Sequence, residues 1–362
     1  MTKENQYFPK SVPHPGLILE EKLEEMKMGP KAFAVSTGKP EQTINAILKG
    51  NSSITPDMAV LFENVTRIPA HYWMNHQLGY DEYKAREKQK EMMEAAVPWV
   101  RSFPATDMTK KGWLPKVTSW PEKAAAMLAF FGFANPKAWE DYYINQELKV
   151  AFRISLANTS DPHSISAWLR KGELQAAELS AQSYQEKIFK ELLPEIKKVM
   201  ARHPAKFASK LQDICLTAGV KVLYTPCLPK APVNGCTRWL NENPLIQLSG
   251  RYKRNDIFWF TFFHEAGHIL THGKKEIFLE YIEHPALDLT KEKEADNFAI
   301  KWTLNESEYR EIKEIRTLTS SHIKMFAKKF NTHPAIIIGR LRHDGLVPQT
   351  FGTKFIQPVD LM

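Results

Sequence analysis

The sequence predicts a mainly α chain with a small β-sheet, an α+β class. It divides into an N-terminal helix-turn-helix bundle, a helical middle region and a C-terminal domain built on an HExxH helix. Three observations lead there. Residues 30–50, PKAFAVSTGKPEQTINAILKG, carry the small, Gly and apolar spacing of two helices meeting at a tight turn. Residues 95–200 alternate amphipathic stretches with Trp- and Pro-rich joints such as VPWV, GWLP and SWP. After residue 204, three short β-rich runs precede FWFTFFHEAGHILTHG, residues 258–273.

Composition bounds the function. The chain has 362 residues, enough for two or three domains, and is 43% hydrophobic and 25% charged. No stretch approaches the roughly 20 apolar residues that span a bilayer, so no membrane partner is expected. The N-terminal MTKENQYFPKSVPHPG lacks the apolar core of a secretory signal. Cys215, Cys227 and Cys236 are too few and scattered for a disulfide framework or a Cys-based metal site. A cytoplasmic protein with buried thiols is the expectation. Net charge is +8, but residues 1–80 hold eight basic and eight acidic residues. The basic excess therefore lies outside the N-terminal segment, which weakens the electrostatic case for nucleic acid there.

The N-terminal segment, taken as residues 1–80, reads as short helices. PGLILEEKLEEMK, 15–27, starts with Pro at a helix N-terminus and carries Leu17, Ile18, Leu23 and Met26 on one side. In the next pair, Ala34 lies four residues before Gly38, and Ile44 and Ile47 follow it by six and nine. A helix-turn-helix needs a small residue where the helices touch, a Gly in the turn and apolar residues behind the second helix. That helix is expected from Pro40. Gln42, Thr43 and Asn45 then lie near its exposed start, where Gln and Asn can pair with adenine edges. Lys39 and Lys49, with Lys31, are the candidates for phosphates. Lys39 stands where such turns usually carry an apolar residue.

Residues 12–83, including HPG at 14–16, ITP at 54–56 and IPAHYWMNHQ at 68–77, resemble HigA-like antitoxins of the Xre helix-turn-helix class. The resemblance implies a homodimer on palindromic operator DNA. Residues 81–203 are read as a helical connector or dimerisation region, with DEYKAREKQKEMME, 81–94, as its charged start.

The domain assigned to 204–345 opens with a helix ending at Gly219, then VKVLY (220–224), GCTRWL (235–240) and LIQLS (245–249) as strands. His264-Glu265-Ala266-Gly267-His268 follows. Residues four apart share one helical face, so both imidazoles can bind one ion. Glu265, about 100° round the helix, can avoid the metal and take a proton from its bound water. From 12 His and 30 Glu, a chance HExxH has odds of about three in a hundred, so context decides. Trp259, Phe263, Ala266 and Leu270 line one face and Phe258, Phe262 and Ile269 another, which predicts burial nearly all round. Buried imidazoles and a carboxylate must be satisfied, and Zn2+ does so.

A third ligand is needed. His272 lies about 12 Å along the axis from His264, too far for one ion, and HExxHxxGxxH is absent because Thr271 stands three residues after His268, where that pattern has Gly. The segment TKEKEADNFAIKWTL, 290–304, offers Glu292, Glu294 and Asp296. Glu292 and Asp296 share a face, which favours Glu292 as ligand and Asp296 as a carboxylate holding a histidine N–H. Glu294 is the alternative ligand. Tyr252, Arg251, Tyr281, His322 and His333 are unranked candidates for oxyanion stabilisation.

RWL at 238–240, LIQLS, RYKRNDIFWFTFFHEAGHILTHGKKEIFLE at 251–280 and EKEADNFA at 292–299 resemble the ImmA/IrrE family of zinc metallopeptidase domains. The resemblance covers about 204–345. It implies a zincin-like fold, His264 and His268 as ligands, Glu265 as base and a Glu ligand within EKEADNFA. It also implies cleavage of a repressor or antitoxin-like partner. The segment 320–345 repeats the Ala, turn and Ile offsets as Ala327, Asn331 and Ile337 and is basic. It reads as a helical pair closing the domain, with a second DNA reader as the alternative; residues 346–362 are a tail. The combined expectation is a transcriptional regulator with a zinc endopeptidase domain acting on a regulatory protein partner. The alternative is a DNA-binding antitoxin, paired with a cognate toxin, whose zinc is structural or sensory.

Overall fold

The structure, a computed structural model, describes residues 11–145, 161–272, 278–279 and 289–359. The chain is mainly α with one small sheet and forms two compact units, Met1–Ala95 and Ala96–Met362.

The first unit contains α1 (Pro15–Glu25), α2 (Pro30–Thr37), α3 (Glu41–Leu48), α4 (Pro56–Thr66) and α5 (Ala70–Ala95). His14 caps α1: its Nδ1 accepts the Gly16 N–H at 2.9 Å, ahead of Pro15, whose missing N–H costs nothing there. Gly38 ends α2 at φ +65°, a left-handed turn that a side chain would strain. Pro40, extended at φ −61° and ψ 137°, precedes α3, so the helix begins at Glu41, one residue later than expected. Ile44 and Ile47 are fully buried against Leu19, Phe33, Ala34, Phe62 and Trp73. The helix α5 passes through residue 80 without a break, so the unit ends at Ala95. Its charged stretch is a solvated helix surface with an i,i+4 pair between Glu82 and Arg86.

The second unit starts with α6 (Val97–Arg101), α7 (Ala105–Lys110), α8 (Trp120–Phe131) and α9 (Pro136–Glu140). The aromatic residues of this stretch, with Phe103 between α6 and α7 and Trp139 of α9 at the centre, pack edge-to-face and tilted. Next come α10 (Pro162–Glu178), α11 (Glu186–Arg202) and α12 (Phe207–Thr217). The strands β1 (Lys221–Tyr224), β2 (Gly235–Leu240), β3 (Asn243–Leu248) and β4 (Phe278–Leu279) form a mixed sheet ordered β1-β3-β2-β4. β1 runs parallel to β3, with Val222 opposite Ile246, and β2 is antiparallel to β3 and β4.

Against the sheet packs α13 (Asn255–Thr271), followed by α14 (Leu289–Thr303), α15 (Glu306–Lys313), α16 (Ser320–Lys329) and α17 (Pro334–His343). One core joins Phe189 and Ile196 of α11, Ile246 of β3, Trp259 and Phe263 of α13, Ile337 of α17 and the tail residues Phe355 and Val359. Both α11, read as connector, and the tail are therefore integral to this unit. The tail is tied to the start of α13 and the turn before it through backbone bonds from Asn255 N to Gln357 O and from Val359 N to Lys253 O, each 3.1 Å. The basic pair α16–α17 sends Ile323, Phe326, Ile336 and Ile338 into the same core. Arg342 bonds to Phe351 O, and Arg340 bonds to Leu304 O and lies 3.9 Å from the Tyr309 ring. These contacts make the segment a structural closure of the unit. Among the described residues, no helix is long and apolar enough to cross a membrane.

Candidate metal centre and helix-turn-helix

The burial of α13 sets the site. Trp259, Phe262, Phe263 and Ala266 are fully buried, and Trp259 Nε1 donates to His203 Nδ1 at 3.0 Å. These contacts set which sides of α13 face the core. Gly267 allows α14 to approach: a Cβ there would lie 3.1 Å from Phe298 Cβ and 3.2 Å from Ala295 Cα. The histidines His264 and His268 lie four apart on this buried helix.

His264 Nε2 and His268 Nε2 lie 3.0 Å apart. Glu292, from the first turn of α14, places Oε2 3.2 Å from His264 Nε2 and Oε1 3.6 Å from His268 Nε2. Among the described residues, His264, His268 and Glu292 form a group that could hold a metal ion. Asp296 Oδ1 lies 2.9 Å from His264 Nδ1. A carboxylate only accepts, so His264 carries its proton on Nδ1 and presents a lone pair at Nε2. Burial pushes His268 well below its ordinary pKa, and His264, His272 and Lys291 push the same way, so this ring is neutral as a ligand must be.

Glu265 is fully buried one residue beyond His264. Strand β2 makes room for its carboxylate: a Cβ on Gly235 would stand 2.5 Å from Glu265 Oε1 and 2.6 Å from Thr261 Cγ2. Thr237 Oγ1 donates to the Glu265 carbonyl at 3.0 Å, pinning this turn of α13 to the sheet. Neither Gly235 nor Thr237 was singled out from the sequence, because the signal is a contact across 28 residues or more.

His272 and Glu294 meet each other beside His268. The rise per residue keeps His272 from sharing an ion with His264, but the helix ends at Thr271 and His272 has left it at φ −117° and ψ 160°. Its Nδ1 lies 3.0 Å from His268 Nδ1, and its Nε2 lies 3.0 Å from Glu294 Oε2.

Of the oxyanion candidates, His333 caps α17 by accepting the Ala335 N–H at 3.1 Å, and burial with His203 nearby pushes it down to about 4. Arg251 bonds to Pro232 O and stacks on the exposed Tyr252 ring at 4.9 Å. His322 lies in the first turn of α16, and Tyr281 lies outside the described residues.

In the first unit, Gln42 is exposed and Thr43 and Asn45 are half-buried on α3. Gln42 and Asn45, three apart, share a face opposite the buried Ile44 and Ile47. Lys39 is half-buried in the turn and Lys49 exposed at the C-cap.

The fold and its sites thus define a two-unit protein: a helix-turn-helix unit, and an α+β unit with three converging metal-capable donors beside a buried carboxylate. Part of the chain is similar to an addiction module antidote protein of a HigA family from Coxiella burnetii, at 33% identity and TM-score 0.22, covering 23% of this chain and 91% of that one. It is also similar to the Pseudomonas aeruginosa antitoxin HigA with the higBA promoter, at 30% identity and TM-score 0.22, covering 24% and 94%. A third similarity is to a Pseudomonas aeruginosa protein in complex with its operator DNA, at 29% identity and TM-score 0.21, covering 21% and 84%. No protein-family model and no curated protein matches the chain.

Proposed function

We propose that this chain is a DNA-binding regulator of the antitoxin type whose second unit is a zinc-dependent endopeptidase acting on a regulatory protein partner. The observation that carries the enzymatic half is the meeting of His264 Nε2, His268 Nε2 and Glu292 within 3.0–3.6 Å, with Glu265 buried on the same helix. Three acceptors this close repel one another unless a proton or cation lies among them. Donors held tetrahedrally at about 2.0–2.1 Å from zinc are about 3.4 Å apart, which this spacing fits.

Zinc, when bound, supplies Lewis acidity for peptide hydrolysis. The chain's own residues do the rest. His264, His268 and Glu292 hold the ion, and Asp296 fixes the His264 tautomer through the 2.9 Å bond. Glu265 takes a proton from the attacking water and returns it to the leaving amine. Metal analysis tests the ligand set. At saturating zinc the parent should hold one ion per chain, and Glu292→Ala should lose most of it while Glu294→Ala keeps it. Full occupancy in Glu292→Ala with loss in Glu294→Ala would reverse the assignment.

The DNA half rests on α3, with Gln42 and Asn45 on its exposed face and Lys39 and Lys49 at its two ends. In the proposed mode a dimer sets two such helices in successive major grooves, with Gln42, Thr43 and Asn45 towards base edges and the lysines on phosphates. Gln42→Ala combined with Asn45→Ala should weaken binding to DNA upstream of the gene at least about tenfold by mobility shift, since each paired base contact contributes about 1–3 kcal/mol. Unchanged affinity would remove α3 as the reading element.

A further inference from the structure

The histidine just beyond the metal-binding helix has a partner on each side. His272 is the C-cap of α13, with its side chain 3% exposed. One ring nitrogen, Nδ1, lies 3.0 Å from Nδ1 of His268, and the other, Nε2, lies 3.0 Å from Oε2 of Glu294. The backbone makes this possible. The His272 N–H still donates to His268 O at 3.1 Å, but the chain then turns extended, so its ring packs beside His268 with centroids 5.0 Å apart. Glu292 and Glu294 lie about 200° apart on α14. Glu292 still meets the histidines of α13 and Glu294 meets His272, because His272 has left the helix axis.

We infer that Glu294 and His272 act in series as positioning residues that hold the His268 ring with its proton on Nδ1 and its Nε2 lone pair towards the metal. Proton accounting carries the assignment. The Glu294 carboxylate accepts, so the His272 proton sits on Nε2. A neutral imidazole then has an acceptor at Nδ1, and the hydrogen bond at 3.0 Å is made by the His268 Nδ1–H. That leaves His268 Nε2 as the lone pair facing His264 Nε2 and Glu292. The other ligand is held in the same sense by Asp296 directly. Both ligands are thus fixed from α14, His264 by a carboxylate directly and His268 by a carboxylate acting through an imidazole. Histidine ligands are ordinarily oriented by a carboxylate, carbonyl or water, and losing such a partner costs about 10–100-fold in metal affinity. His272 also presents an acceptor without adding a second negative charge beside Glu292.

The inference rests on the metal reading above, and its test separates the two. Zinc affinity of the full chain is measured by competition with a chromogenic chelator for the parent, His272→Ala, Glu294→Ala, the double variant and His272→Gln. Both single alanine variants should bind one zinc about 10–100-fold more weakly. The double variant should bind no more weakly than His272→Ala, because residues acting in series do not add. His272→Gln, whose carbonyl can accept the His268 proton, should recover part of the loss. The thermal midpoint of the metal-free protein should stay near the parent's, since a general packing role would lower it whether or not zinc is present. Parent-like affinity in His272→Ala and Glu294→Ala, with zinc bound normally, would overturn the relay. So would fully additive losses. Absence of zinc binding by the parent would instead overturn the metal reading itself.

Discussion

Glu265→Gln is expected to keep the bound zinc and to lower cleavage of the partner protein by about 10²–10⁴-fold, the usual contribution of a positioned base. The separation of the two effects follows from the site. The three converging donors are His264, His268 and Glu292, so an amide at 265 removes no ligand. Gln matches Glu in shape, and the pocket is tight: Gly235 leaves only the space the carboxylate needs, and the side chain is fully buried. What the amide loses is the ability to accept a proton from water. The measurement pairs metal content with single-turnover cleavage of a candidate repressor or toxin partner. Cleavage at the parent rate would sink the mechanism. Loss of zinc along with activity would show that Glu265 belongs to the ligand set. Zinc retained with no cleavage by either protein would favour a structural or sensory ion.

The mainly α architecture with a small sheet was legible because its signals are local. Turn residues such as Gly38, Pro before helices, and the i,i+4 spacing of His264 and His268 act within one or two turns of chain. The same locality explains what was not legible. DEYKAREKQKEMME carries no helix stop, so nothing in it could tell whether residue 80 or Ala95 ends the first unit. Phe355 and Val359 have no periodic pattern, yet they enter the core beside α13 through a return of the chain over about a hundred residues. His272 continues the i,i+4 spacing of His264 and His268, and only the backbone at 272 shows that the HExxH helix stops there. Arg238 is the sharpest case. Nothing local in GCTRWL marks its burial, yet it is 2% exposed and paired with Glu173, 65 residues earlier.

That pairing sets the largest stability effect expected outside the site. Glu173→Ala should cost about 3–5 kcal/mol of folding free energy in the second unit, the range for breaking a buried ion pair by removing one partner. Arg238 Nη1 lies 2.8 Å from Glu173 Oε1, and its Nη2 donates to Leu169 O at 2.5 Å and reaches Gln247 Oε1 at 3.4 Å. Gln247 in turn donates from Nε2 to Trp168 O at 2.7 Å, so α10 is held to strands β2 and β3 by one connected network. The two partners are not equivalent. Glu173 is 20% exposed and also pairs with Arg170 at 2.8 Å, so it can be solvated when Arg238 is gone. Arg238 has no such outlet, and its charge would remain buried without a counter-ion. Arg238→Met, which removes that charge and keeps much of the volume, should therefore cost less than Glu173→Ala. Denaturant midpoints at a fixed free zinc concentration give the comparison, since ligand binding to the folded state shifts them all. Equal losses for the two variants would show that volume, and not the stranded guanidinium, governs the site. A parent-like midpoint for Glu173→Ala would mean that water reaches Arg238 once the carboxylate is removed.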